Sequence, residues 1–319
     1  MSLLVIDIGG TNARVALVGK DGSGENEPRD IEIHPTADIL SLAEFLGAQI
    51  SNRLGDGGSL ALALPGPVRG AKGARESFWW REAWHVSEQG LKDAHGLETV
   101  HLVNDFAAQA LALPHLKGPD LCRIGVNGQA LPEGNRVVLG PGTGLGVAGL
   151  VPAGQGRFIP VVGEGGHVDL APSTDEEVVI LKILQEQFGH VSPERVISGP
   201  GLEMLYQSLR ALRDEPFKGA TAPEISAAAA GGDEVAKLAI SMMSAWLGSV
   251  AGDLALSFGA TAGVYVSGGV IPALGDLFDG DAFRARFEAK GRFQFYTEAI
   301  PTWLVTCEHP GLLGLARSF

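Results

Sequence analysis

Asp7-Ile8-Gly9-Gly10-Thr11-Asn12-Ala13-Arg14 follows the apolar run Leu3–Ile6 and leads into a second one, Val15–Val18. An aliphatic, β-branched run reads as a buried strand, so the stretch is strand, turn, strand. Two adjacent glycines permit a tight turn with positive φ. The turn carries backbone N–H groups, a hydroxyl and a carboxylate. Consecutive N–H groups in a glycine turn form a nest for phosphate oxygens. A carboxylate repels phosphate, so Asp7 suits a divalent metal or its waters, which bridge phosphates in turn. A plain glycine hairpin with a solvated Asp is the simpler alternative.

The pattern returns at Val137-Val138-Leu139-Gly140-Pro141-Gly142-Thr143-Gly144-Leu145-Gly146-Val147-Ala148. A shift of 132 positions lays Gly10-Thr11 on Gly142-Thr143 and Val15-Ala16 on Val147-Ala148. Asp7 then falls on Leu139, so the carboxylate is not repeated. Glycine is abundant, 45 of 319 residues, and two such hairpins could coincide by chance. The shared register of both apolar arms favours two related α/β halves, each with a phosphate-binding turn.

A chain of 319 residues suggests two domains, since single cores rarely grow past about 250–300 residues. Hydrophobic residues make up 45% and charged ones 19%, enough for ordinary globular cores. The formal net charge is −13, with no run of Lys or Arg. Nucleic acid and anionic membrane surfaces are therefore excluded as expected partners. Cys122 and Cys307 are the only cysteines, which gives neither a zinc cluster nor a disulfide framework. A reducing cytoplasm is the expected setting. The chain enters a strand at once, so no signal peptide is expected. Val137–Gly154 and Leu254–Gly275 are uncharged over span-like lengths, but both are interrupted by Gly and Pro. They read as sheet and loop, not as membrane helices.

Along the chain the expected elements are a possible strand at 30–34, a helix over 39–54 and a strand over 60–64. Residues 69–85 read as irregular, and a short helix follows over 86–95. A strand over 99–103 leads to Asn104-Asp105 and an Ala-rich helix ending near Leu113. Thr174 and Glu177 have capping-box spacing for a helix through Phe188. A Pro-Gly turn at 200–201 precedes a helix with Leu202, Leu205, Tyr206, Leu209 and Leu212 on one face. A long helix spans 234–258, and a strand over 262–266 ends in Ser267-Gly268-Gly269. The hinge between domains is placed near residue 105.

Asn104-Asp105 stands at a strand-to-helix junction. Both residues are favoured helix caps. Ligands of open α/β sheets also bind at the carboxyl ends of strands, where Asp105 could take a proton from a substrate hydroxyl and Asn104 could hold its neighbour. Glu164, His167 and Asp169 share one glycine-rich loop. They could be metal ligands or partners for sugar hydroxyls, which both donate and accept. Glu194 could be an ordinary acid at a helix start. No G-x-x-x-x-G-K-[ST] or G-x-S-x-G occurs, and Gly142–Gly146 is followed by a strand pattern rather than the helix of a dinucleotide fingerprint.

Taken together, DIGGTNAR (7–14), NDF (104–106), GPGTGLGV (140–147), EGGHVD (164–169), ERVISGPGL (194–202) and SGG (267–269) resemble the bacterial, proteobacterial-type ATP-dependent glucokinases of the sugar kinase/Hsp70/actin superfamily. The motifs run colinearly over nearly the whole chain. The resemblance implies a two-domain actin-like, ribonuclease H-like α/β fold with a cleft between a smaller and a larger domain. The smaller would be 1–107, with a C-terminal helix in 305–319 packed back on it, and the larger 108–304. It implies ATP and Mg²⁺, with Asp7, Ile8, Gly9, Gly10, Thr11, Asn12, Gly142, Thr143, Gly144, Gly268 and Gly269 at the nucleotide and Asp7 facing Mg²⁺ through bound water. Asn104, Asp105, Glu164, His167 and Glu194 would contact D-glucose, and Asp105 would be the catalytic base. A cytoplasmic homodimer is implied as well. One departure stands out. The family places Thr-Asn shortly before a Trp in the segment after Pro65-Gly66-Pro67, where this chain has Trp80-Arg81 before Trp84. Related ROK kinases for fructose, mannose or N-acetylhexosamines are the alternative, but their Cys-rich motif is missing here.

Overall fold

The computed structural model describes residues 2–20, 25–54, 57–79, 84–126, 128–216 and 219–318. The chain begins β1 (Leu3–Ile8), β2 (Asn12–Lys20), β3 (Asn26–Pro35), α1 (Leu42–Arg53), β4 (Ser59–Leu64), β5 (Val68–Arg69), β6 (Glu76–Trp79) and β7 (Trp84–Ser87). It continues α2 (Glu88–His95), β8 (Thr99–Asn104), α3 (Asp105–Ala112), β9 (Leu121–Ile124), β10 (Arg136–Pro141), β11 (Leu145–Pro152) and β12 (Phe158–Gly163). Then come α4 (Asp175–Phe188), α5 (Gly199–Ala211), α6 (Ala222–Ala230), α7 (Glu234–Phe258), β13 (Gly263–Val266) and α8 (Val270–Leu274). The last elements are α9 (Gly280–Glu288), α10 (Gln294–Glu298), β14 (Thr302–Val305) and α11 (Pro310–Arg317). These form two compact units, one of residues 1–118, 153–163 and 307–319, the other of 119–152 and 164–306.

In the first unit a five-stranded sheet runs β3-β2-β1-β4-β8. β1 is antiparallel to β2 and parallel to β4, and β4 is parallel to β8. The runs Leu3–Ile6, Val15–Val18 and Leu60–Leu64 in its central strands are apolar because both faces are covered. Side chains alternate across a strand, so Leu4, Ile6 and Ile8 face one core with Leu46 and Ile50 of α1 and Leu91 of α2. Val5, Ala61, Ala63 and Val103 face the other, with Ala107 and Ala108 of α3 and Leu312 and Leu315 of α11. The small residues let two helices lie close. A methyl group at Gly314 would collide with the carbonyl oxygen of Ala108. The packing of α11 on α3 carries this unit through Gly118 and leaves α3 inside it, whereas the sequence reading drew its boundary at 107.

Within the second unit five strands run β11-β10-β13-β14-β9. The order β11-β10-β13-β14 repeats β2-β1-β4-β8, with the same directions. The repeat differs at its turn. Ile8 pairs with Ala13 across four residues, and Pro141 with Leu145 across three. Asp7 therefore corresponds to Gly140 and not to Leu139, and the carboxylate still has no counterpart. α7 starts at Asp233, whose side chain accepts the N–H groups of Val235 and Ala236, and it ends at Gly259 in the left-handed region. It is long and apolar enough to cross a membrane, but 78% of that window is buried within the protein.

Several expectations shift. The 69–85 segment contains the small sheet β5-β6-β7. Its strands are only two to four residues long, too short to show a hydrophobic period. Val86 belongs to β7, and α2 begins after its cap Ser87. Pro200-Gly201 lies in the first turn of α5, whose cap is Ser198. Gly9 and Gly10 are not in the left-handed region. Their value is the bare backbone they present.

Candidate active site

The end of β1 and the start of β2 form the first glycine turn. The Gly9 N–H donates to Asn12 O at 2.9 Å. Thr36, buried beside the turn, braces it twice. Its N–H donates to Thr11 O at 2.8 Å, and its hydroxyl donates to Gly9 O at 3.0 Å. Only Asn12 O, at 3.6 Å, lies near a methyl group built on Gly9. Ile8 is buried in the core beneath. Asp7 is 7% exposed. Among the described residues its ion-pair partner is Arg14, directly opposite on β2, at 3.8 Å. Burial pushes its carboxyl up to about 6, against the pull of Arg14. Gly311, in the first turn of α11, closes over that carboxylate so tightly that an added methyl group would collide with it.

Asn104 ends β8 and caps α3. Its Oδ1 accepts the N–H groups of Phe106 and Ala107 at 3.0 and 3.1 Å. Its Nδ2 donates to Gly66 O at 3.1 Å and to Asp105 Oδ1 at 3.0 Å. Both lone pairs and both N–H groups of the amide are thus in use. Asp105 Oδ1 also accepts the Phe106 N–H at 2.9 Å. The structure separates two roles that the sequence left merged, since Asn104 performs the capping and Asp105 is the first residue of the helix.

The second unit holds the other candidates. The Gly142 N–H donates to Gly144 O at 2.8 Å, and Gly142 O accepts the Gly199 N–H at 2.9 Å. Glu194 Oε2 accepts the Leu145 N–H at 2.9 Å and lies 3.8 Å from His167 Nε2. A side chain at Gly144 would strike that carboxylate. Glu164 precedes the short turn Gly165–His167, and its carbonyl accepts the His167 N–H at 3.0 Å. Gly165 and Gly166 press on Val147 and Leu145 of β11, so the loop rests on the glycine hairpin. His190 secures the loop from behind, with Nε2 3.1 Å from His167 O and Nδ1 3.3 Å from Asp169. Asp169 is thereby paired within the loop's own frame. Gly268 has φ +87°, and a side chain there would meet Pro141 O at 2.5 Å, so the turn lies directly on β10. No atom lies within 4 Å of a methyl group built on Gly142 or on Gly269.

Thus Asp7, Gly9–Asn12, Asn104 and Asp105 belong to the first unit, and Gly142–Gly144, Glu164, His167, Glu194, Gly268 and Gly269 to the second. Sequence reasoning missed Thr36, Arg14 and Gly311 as neighbours of the first turn, and the bond from Glu194 to Leu145. Trp80-Arg81 lies outside the described residues.

A family model described as Glucokinase matches residues 4–319. A glucokinase from Caulobacter sp. (strain K31) is 43% identical over 315 residues, covering 98% of this chain and 93% of that protein.

The chain belongs to the glucokinase family.

The bifunctional protein glk of Burkholderia orbicola (strain AU 1054) is 40% identical over 98% of this chain, which spans 48% of that protein's length. Among solved structures, glucokinase from an Antarctic psychrotroph superposes with a TM-score of 0.84 at 35% identity, covering 99% of this chain and 98% of that one. The fold is the two-domain actin-like α/β fold of these sugar kinases. The backbones at Gly9, Gly142 and Gly269 are open to close approach. Among the described residues no group of three His, Cys, Asp or Glu side chains is placed to hold a metal. One buried carboxylate at the end of β1 fits Mg²⁺, which binds through one or two carboxylates, substrate phosphates and retained waters.

Proposed function

We propose that this chain transfers the γ-phosphoryl group of ATP to the 6-hydroxyl of D-glucose by direct in-line transfer, giving glucose 6-phosphate and ADP. The observation that supports this best is Asp105. Its carboxylate stands at the strand end, where Oδ1 accepts from the Asn104 amide and the Phe106 N–H. There it orients the attacking hydroxyl and accepts its proton. The transition state is loose and highly charged, so positioning and electrostatics dominate. Gly9–Asn12 and Gly142–Gly144 present backbone N–H groups to the phosphates, and Gly268-Gly269 receives the adenosine. Asp7 would hold Mg²⁺ near the phosphates, where the ion would neutralise their charge. Glu164, His167 and Glu194 bind sugar hydroxyls. Asn104 does so by exchanging one of its present bonds, or else serves by orienting Asp105. A coupled assay with ATP and a hexose panel tests the reading. Preferred turnover of glucose supports it, and turnover of another hexose alone moves the chain to a different hexose kinase.

In this reading the first unit is the small domain, the second is the large one, and the enzyme is a cytoplasmic homodimer without nucleic-acid or membrane partners. Saturating glucose is expected to lower the radius of gyration in small-angle scattering, with hinges where the chain passes between the units, at 118–119 and 306–307, and not at 104–108, which lies within the first unit. Identical profiles with and without glucose count against closure.

Glu164→Ala and His167→Ala are expected to raise the KM for glucose roughly 10- to 100-fold, the cost of a lost hydrogen bond to a charged or partly charged group. The KM for ATP should stay near its original value. Recovery of stoichiometric zinc from the purified protein would overturn the sugar-contact assignment.

A further inference from the structure

β8 is an edge strand of the first sheet, and its last residue leads directly to Asp105. An edge strand presents N–H and C=O groups that need partners. At Leu102 those partners are side chains. The Leu102 N–H donates to Glu88 Oε1 at 3.0 Å, and Leu102 O accepts from Arg75 Nη1 at 3.0 Å. The two side-chain owners are also joined to each other. The Arg75 N–H donates to Glu88 Oε2 at 3.0 Å, and the Glu88 N–H donates to Arg75 O at 2.9 Å. Arg75 and Glu88 thus replace one residue of a missing neighbouring strand.

Glu88 occupies the first position of α2, where an acid ordinarily serves the helix dipole from the surface. Here it is 2% exposed. Ser87 already caps the helix by accepting the Gly90 N–H. The Glu88 carboxylate instead turns back to the strand, with both oxygens occupied by N–H donors. Burying a charge in this way is costly unless each of its acceptors is filled.

We propose that Arg75 and Glu88 are positioning residues for the phosphoryl-transfer reaction: they clamp the base of the β6–β7 hairpin to β8 and so fix the strand end that carries Asn104 and Asp105. Leu102 is two residues before Asn104, about 7 Å along the strand at the usual rise. Asn104 in turn holds Gly66 O and Asp105. The Ser77 hydroxyl donates to Pro67 O at 3.4 Å, so the 65–67 turn is tied to the same hairpin. The hairpin, the turn and the reacting carboxylate form one hydrogen-bonded block. A shift of about 1 Å in a reacting group can cost up to ~10²-fold in rate.

The proposal rests on Asp105 as the reacting carboxylate, and a double-mutant cycle keeps the two ideas apart. Glu88→Gln preserves size but sets an amide N–H₂ against an N–H donor. In the otherwise native enzyme it is expected to lower kcat roughly 10- to 100-fold, within the positioning range above, with the KM for ATP unchanged within about twofold. In the Asp105→Asn background the same change should cost less than about threefold, because residues acting as a unit are not additive. Arg75→Lys, which removes only the bond to Leu102 O, should show the same pattern more weakly and serves if Glu88→Gln does not fold. Equal losses in both backgrounds, or an unchanged kcat in both single clamp variants, overturn the clamp. Near-native turnover of Asp105→Asn alone overturns the catalytic assignment instead.

Discussion

Asp105→Asn is expected to lower kcat about 10²- to 10⁴-fold, the usual contribution of a positioned acid–base group. The amide oxygen can still accept the Asn104 and Phe106 N–H groups that now meet Asp105 Oδ1. The helix keeps its cap, because Asn104 supplies it. Melting temperature and ATP affinity should therefore hardly move, and the loss should sit in kcat. Single-turnover kinetics with saturating ATP and glucose isolates that step. Turnover close to the native value, or loss of the fold without loss of specific activity, would make Asp105 a structural residue.

Asp7→Asn should separate stability from activity. The Asp7 carboxyl titrates near 6 in the folded protein because burial disfavours its charge. In the unfolded chain it titrates near the ordinary aspartate value, 3.8. Between those values the folded state holds more protons than the unfolded one, so its stability falls as pH rises through that window. Above about pH 6 the cost is complete, on the order of 3 kcal/mol at 1.36 kcal/mol per pKa unit. The Asn variant, free of ligand and metal, should melt several degrees higher at pH 7.5 and at the same temperature below pH 4. Arg14 then loses its partner, but its side chain is 28% exposed and stays hydrated. Turnover should fall at least ~10²-fold, since the charge that faces the phosphate-bound cation is gone. Differential scanning calorimetry across pH, paired with the kinase assay, checks both halves. A lower melting temperature at pH 7.5 would mean that the Arg14 pair outweighs the burial cost.

What the sequence revealed was largely what is local in the chain. β1, β2 and β10 are continuous apolar runs. α4 announces itself through Thr174, whose side chain accepts the Glu177 N–H, and α7 through its length; the cap of α7, Asp233, was not read from the sequence. The capping-box reading of α4 was half of the truth. Thr174 accepts the Glu177 N–H, but the Glu177 carboxylate takes the Ser173 N–H and pairs with Arg286 of α9. Distant partners left no local mark. Nothing near Asp7 points to Gly311, and Glu88 looks like any acid at a helix start. The small sheet β5-β6-β7 is too short to show a period. The candidate turns and loops were legible because glycine, hydroxyl and acid crowd together there. Their bracing by Thr36 and by the Glu194–Leu145 bond depends on tertiary contacts.

The cover that α11 provides has a consequence for biosynthesis. Ribosomes make the sheet of the first unit early, yet the helix that shields Val5, Ala16, Ala61 and Ala63 emerges only after the second unit has been translated. At about 5–20 residues per second that delay is on the order of ten to forty seconds. During it the apolar face of the nascent sheet is covered by α3 alone, and the Asp7 carboxylate lacks the lid that Gly311 provides. Truncation ahead of α11 would leave that face permanently short of its second helix, a substrate for chaperones and proteases rather than an enzyme of reduced activity. Quality control can thus read the last helix of the chain as the signal that its first motif is complete.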